Sequence, residues 1–270
     1  MPIRTKQSKI EYITELSQST AHDLSRNAEH WRDFLITAAA LYKYEFPDQL
    51  LIHAQRPDAT ACAELDIWNR RMNRYVNRGA KGIALIDDSG NAPRLRYVFD
   101  ISDTRPSRYG TSRTPYRWDV TEENTEHILS MLHNRYGVNN KYFTDAVKRS
   151  AERLVNDNLD EYVHEIIQSK ADSFMEEMDR VNIRKNFRDL AVNSVEYCVL
   201  TRFGYKADDF IPLDDFSAVC DFNTIDTMAV LGTAVSSLSE EILRDTERSI
   251  REFELQKRKE RTYQNGLQGT

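Results

Sequence analysis

The sequence predicts an α+β fold: helices plus a small antiparallel sheet with a central hairpin in residues 1–118, then an all-helical part over 119–270. Three observations carry this expectation. Apolar residues recur at three- and four-residue spacings along much of the chain. Two short runs rich in β-branched and aromatic residues, KGIALID and RLRYVFDI, stand close together between turn residues. After Trp118 only helical spacing is found, in a chain whose 40% hydrophobic content is sufficient for a buried core.

The first predicted helix runs from Ala28 to Tyr44, where Trp31, Phe34, Leu35, Ala38, Leu41 and Tyr42 share a face. Pro47 cannot continue it and opens a second helix reaching about His53. A third is expected over Thr60 to Met72, bracketed by Pro57, with Leu65 and Trp68 on one side. KGIALID and RLRYVFDI then read as strands joined by DSGNAP, a hairpin with Gly90 and Asn91 in its loop, and Gly79 and Gly82 supply the tight approach into the first strand. Alternation in the second strand puts Arg94, Arg96, Val98 and Asp100 on one side and Leu95, Tyr97, Phe99 and Ile101 on the other. The expected arrangement is a solvated arginine face over an apolar core face. Residues 105–117, with two prolines, one glycine and four arginines, read as a loop over the sheet.

In the second part Thr121 is the N-cap of a helix whose stripe is Ile128, Leu129, Leu132 and Tyr136. Further helices are expected over 141–156, 159–179, 183–203, 224–235 and 239–261. The last is capped by Ser239 and ends in QKRKER, whose cations suit the carboxyl end of a helix dipole.

Charge is segregated along this framework. The net charge is -6, yet Trp68 to Trp118 holds 11 Lys/Arg against 4 Asp/Glu, a surplus of +7, while 1–67 and 119–270 sum to -3 and -10. A cationic segment in an acidic chain points to an anionic partner, nucleic acid first. Arginines that neutralise phosphates, interleaved with rings on which bases stack, suit a single strand. The candidate contacts are Trp68, Arg71, Arg74, Arg78 and Lys81 before the hairpin, and Arg94 and Arg96 within it. After it come Arg105, Arg108, Tyr109, Arg113, Tyr116, Arg117 and Trp118, and Tyr75 lies among these residues as well. The one basic helix end, WNRRMNRYVNR, carries no helix-turn-helix spacing, so a duplex reader is not indicated.

The chemistry of an enzyme is not announced. Cys62, Cys198 and Cys220 are widely spaced without a CxxC pair, and the six histidines form no HxH or HxxxH. HEIIQ places Gln168 where a zinc helix carries its second histidine, and Glu196 reads as a helix-surface or capping residue. RGAKG lacks the spacing of a phosphate loop and enters a strand. No catalytic residue, metal or cofactor is expected. No apolar run reaches the roughly 18 residues of a membrane span, and MPIRTKQSKIEY has no apolar core, so a cytoplasmic protein without a membrane partner is expected.

FPDQLLIHAQRPDATACAELDIW, VNRGAKGIALI and YVFDISDT, within about residues 30–105, together resemble the amino-terminal domain of ArdC-type antirestriction proteins of plasmids and conjugative transposons. The resemblance implies single-stranded DNA binding. By position it implicates Trp68, Arg78, Gly79, Lys81, Gly82, Phe99, Asp100 and Thr104, the glycines and Phe99 as structural residues and the charged ones as contacts. The second half resembles the non-catalytic helical part of transposon-encoded relatives. The implied role is anti-defence, on a mobile genetic element, by a protein that binds single-stranded DNA or RNA. The alternative is direct inhibition of a host defence nuclease, a restriction enzyme or a CRISPR effector, through the acidic helical part.

Overall fold

The computed structural model describes the backbone of residues 6–268 and the side chains of 8–262. It opens with α1 (Lys6–Leu24), a helix additional to those expected. Asn27 then starts α2 (Ala28–Ala40) by accepting the His30 N–H at 2.8 Å, which satisfies one orphan donor of the first turn. Trp31, Phe34, Leu35 and Ala38 form its buried stripe, and it ends at Ala40, four residues before Tyr44. Pro47 sits in the first turn of α3 (Phe46–Gln55), where its missing N–H costs nothing.

The helix expected over 60–72 does not form. Cys62–Glu64 is instead a strand, β1, and the helical part is cut to 65–71, of which Ile67–Arg71 is one π turn. The physical reason is Asp100, whose carboxylate accepts the Thr60 and Ala61 N–H groups at 2.7 and 2.9 Å and holds that stretch extended. The chain continues as β2 (Arg74–Val76), β3 (Ile83–Asp87), β4 (Arg94–Asp100) and β5 (Thr104–Pro106). The hairpin is β3–β4. It belongs to a three-stranded antiparallel sheet in the order β1-β4-β3, while β2 and β5 pair as a separate antiparallel ribbon. The expected loop over 105–117 therefore begins as a strand.

The faces of β4 are the reverse of the expectation. Register places Ile83 opposite Val98, Leu85 opposite Arg96 and Asp87 opposite Arg94. Ile83, Leu85 and Val98 lie in a small core with Ile13, Leu41, Leu51 and Ile52, so the arginine side is the packed side. Arg96 can sit there because Asp48 of α3 pairs with it and Glu64 stands 3.9 Å away. Tyr97, on the other side, is exposed. Gln55 guards the free edge of β3: its amide donates to the Ala84 carbonyl and accepts the Ala84 N–H, both at 2.9 Å.

The second half is built of α4 (Glu122–Tyr136), α5 (Phe143–Ser169), α6 (Arg180–Arg202) and α7 (Ile225–Gln268). Thr121 and Asn124 cap α4 reciprocally. The breaks expected near 157 and 237 are absent. Leu154, Val155, Leu159 and Val163 continue one buried stripe through the first. Ser236, Leu238 and Ser239 are buried within α7, so Ser239 is interior to a helix and caps nothing. One apolar core joins α1, α2 and Trp118 to α4 through α7 and so crosses the 118/119 division. Among the described residues no helix is long and apolar enough to cross a membrane.

Candidate nucleic-acid interface

Tertiary structure withdraws several of the candidate contacts from the surface. Trp68 is 1% exposed and donates from Nε1 to the Phe99 carbonyl at 2.9 Å. Trp118 is 2% exposed, with its Nε1 directed to the Tyr42 hydroxyl at 3.2 Å. Neither ring can stack on a base. Tyr116 is held against α7, its ring under the Arg251 guanidinium at 4.2 Å and its hydroxyl on Glu254 at 3.2 Å.

Three arginines are likewise committed. Arg94 pairs with Asp87 across the hairpin at 2.6 Å. Hydrogen bonds from Ser89 and then Arg94 hold the Asp87 carboxyl down at about 2, so this pair stays charged. Arg96 is neutralised as described above. Arg74 turns inward and donates from Nε to Thr104 Oγ1 at 2.8 Å and from the guanidinium to the Thr104 carbonyl at 3.2 Å. Asp100 is structural too. Burial alone would raise its pKa, but donors from Ala61, Ser102 and Thr60 outweigh that and hold it below the usual carboxylate range.

What remains gathers around the β2/β5 ribbon. Register sets Tyr75 directly opposite Arg105, so both project from the same face, and both are exposed. At one end of the ribbon the chain turns through Asn77–Gly82, with Gly79 in the left-handed region at φ +88° and the Asn77 N–H on the Asp103 carbonyl at 2.8 Å. This turn carries Arg78 and Lys81. At the other end the loop 107–113 folds back onto the start of β2. The Ser107 N–H reaches the Asn73 carbonyl at 3.0 Å, the Arg113 N–H reaches the Met72 carbonyl at 2.7 Å, and Asn73 Nδ2 donates to the Tyr109 carbonyl at 2.8 Å. That loop presents Arg108, Arg113 and Tyr109, a residue 85% exposed, beside Arg71.

Arg71, Arg78, Lys81, Arg105, Arg108, Arg113 and Arg117 have no ion-pair partner among the described residues. The nearest exception is Arg70, 3.8 Å from Asp66. The structure thus brings six of the predicted cations, Arg71, Arg78, Lys81, Arg105, Arg108 and Arg113, and one predicted ring, Tyr109, to a ribbon about 10 Å long and its two ends. Tyr75 belongs with them, and its placement follows from pairing with β5, which three-residue strands do not announce in a sequence.

Other constellations are inert by geometry. Burial pushes the Cys62 and Cys198 thiols up to about 12, far from thiolate character. Gln168 Nε2 lies 2.9 Å from His164 Nε2, a contact between the side chains of one helix face. Among the described residues no group of three or more His, Cys, Asp or Glu side chains is placed to hold a metal ion. Glu196 is not on a helix surface: it is buried, and burial raises its carboxyl to about 7. Comparison with known proteins finds no matching family model, no matching curated protein and no matching solved structure.

Proposed function

We propose that this chain binds single-stranded nucleic acid along the β2/β5 ribbon and its end loops. The observation that carries the reading is the pairing of Tyr75 with Arg105 on an exposed face, flanked by Arg78 and Lys81 at one end and by Arg71, Arg108, Tyr109 and Arg113 at the other. Unpaired guanidinium groups release counterions from phosphates, and an exposed tyrosine stacks a base for about 1–3 kcal/mol. A narrow ribbon with rings on it suits flexible strands whose bases are free, whereas a duplex hides its base faces.

The resemblance of residues 30–105 to ArdC-type domains supports the same reading and supplies its biological setting: an anti-defence protein of a mobile element that covers single-stranded DNA or RNA. In the acidic helical half Asp157, Asp160, Asp189, Asp245 and Glu247 are each matched by an arginine or lysine, but a surplus of ten negative charges remains, and it supports direct inhibition of a basic nuclease as the second reading. Fluorescence anisotropy with labelled single-stranded DNA, RNA and duplex DNA of one sequence tests the proposal. Tighter binding of the single strands supports it; no binding of any of them at low salt removes it.

A further inference from the structure

Beside the root of the ribbon a cleft of about 500 Å³ opens between the α2–α3 corner, β1, the π turn and residues 115–117. Its size falls within the roughly 300–1,000 Å³ of small-molecule sites. Ile36, Ala40, Ile67 and Met72 give it apolar walls, and Ile36 stands half exposed at the mouth. Arg117 and Arg202 also line it.

Arg202 is the unusual member. Its guanidinium lies over the Trp118 ring at 3.8 Å and spends one donor on the Trp118 carbonyl at 3.2 Å, yet no ion pair satisfies it among the described residues. A half-buried arginine without a counter-ion is costly, because its charge is desolvated and its remaining donors are unmatched. Burial outweighs the attraction of Tyr42 and Asp119 and, with a smaller contribution from the Arg117 cation, holds Arg202 below its ordinary pKa. Lys43, also on the lining, is already paired with Glu247 at 2.6 Å. Two cations on the lining of a largely apolar slot call for a ligand with a compact anionic group on a flat, largely apolar body.

We infer that this cleft is a nucleotide site, taking a phosphate on Arg202 and Arg117 and a base against Ile36, Ala40 and Met72. The inference deepens the ribbon reading and rests on it for the class of ligand, since Met72 both lines the cleft and accepts the Arg113 N–H that anchors the ribbon loop. The phosphate comes either from the 5′ end of a bound strand or from a free nucleotide.

The test uses the full chain with three probes: an oligothymidylate bearing a 5′-phosphate, the same strand with a 5′-hydroxyl, and dTMP, each followed by calorimetric titration. The phosphorylated strand is expected to bind at least about tenfold more tightly than the hydroxyl strand. That advantage should vanish in Arg202→Gln and in Ile36→Glu, the second an exposed change at the mouth that spares the core. Binding of dTMP alone, lost in both variants, assigns the cleft to free nucleotide. Equal affinity for both strands with no dTMP binding overturns the inference, as does a phosphate advantage that survives both substitutions. If strands bind through Arg78 and Lys81 without preference for the phosphate, the cleft fails and the ribbon stands. If dTMP binds through Arg202 while neither strand does, the ribbon fails and the cleft stands.

Discussion

At the scale of single residues, the same side-chain type has opposite fates according to its partners. Arg96 and Arg105 both sit on strands flanked by cations, but Arg96 meets Asp48 whereas Arg105 finds, among the described residues, only the Asn77 amide oxygen at 3.4 Å. Alanine at Arg94 or Arg96 is therefore expected to change oligonucleotide affinity less than about twofold, while alanine at Arg78 or Arg105 weakens it. Each lost phosphate contact should also flatten the slope of log affinity against log salt by about 0.7. Affinity titrations across salt concentrations check both. Glu196 provides a separate residue-level outcome. It is 4% exposed, its Oε2 has no hydrogen-bond partner among the described residues, and burial raises its carboxyl from 4.5 to about 7. Because the folded state holds this proton more tightly than the unfolded state, the group favours the fold at low pH and ceases to do so as pH rises from about 4.5 through 7. Glu196→Gln should match the parent near pH 4.5 and exceed it above pH 7 by on the order of 1–3 kcal/mol, seen in denaturant unfolding at several pH values. A stability difference independent of pH would contradict the assignment.

At the scale of elements, α7 is one helix through a position that should weaken it. Gly232 costs roughly 1 kcal/mol of helix propensity relative to alanine. It is there because the Phe46 ring packs on its Cα, and a Cβ would stand 2.2 Å from that ring. Gly232→Ala is accordingly expected to destabilise by about 1–3 kcal/mol despite the better propensity, with part of the loss recovered by Phe46→Leu. Chemical denaturation measures this, and a stabilised single variant would refute the packing argument. The elements also show what the sequence made legible. Helices with a polar cap and a long apolar stripe, such as α4 and α6, follow from spacing, as does the β3–β4 hairpin. The strands β1, β2 and β5 have three residues each, too few for a periodic signal, and are held by distant partners such as Asp100. The facing of β4 was illegible for a related reason: alternation separates two sides of a strand, but the choice of the packed side depends on Asp48, which lies 48 residues away. The division of α5 and α7 into shorter helices failed because buried polar residues such as Ser236 and Ser239 look like breaks until their neighbours are known.

At the scale of the whole molecule, the sequence segregation of charge is thinned by folding and then concentrated. Arg74, Arg94 and Arg96 are absorbed, Trp68 and Trp118 become core, and the remaining cations gather on one ribbon next to a cleft that Arg202 reaches from the helical half. No part of the sequence around Arg202 announced that role, because its neighbour Trp118 is 84 residues away. Beyond the ribbon's end loop the chain is tied to the helices at Tyr116, which lies under Arg251; Arg251 pairs with Glu247, and Glu247 accepts from Tyr42 at 2.5 Å.

The most direct test is a salt titration of single-stranded oligonucleotide binding by the parent chain and by the triple charge reversal Arg78→Glu, Lys81→Glu, Arg105→Glu. All three side chains are exposed and outside the core, so the variant should keep the parent's circular dichroism and thermal transition. The expected result is salt-dependent binding by the parent and a loss of at least about tenfold in the variant, with a shallower salt slope. Equal binding by the two folded proteins, or no binding by the parent at low salt, would contradict the assignment of this ribbon as a nucleic-acid surface.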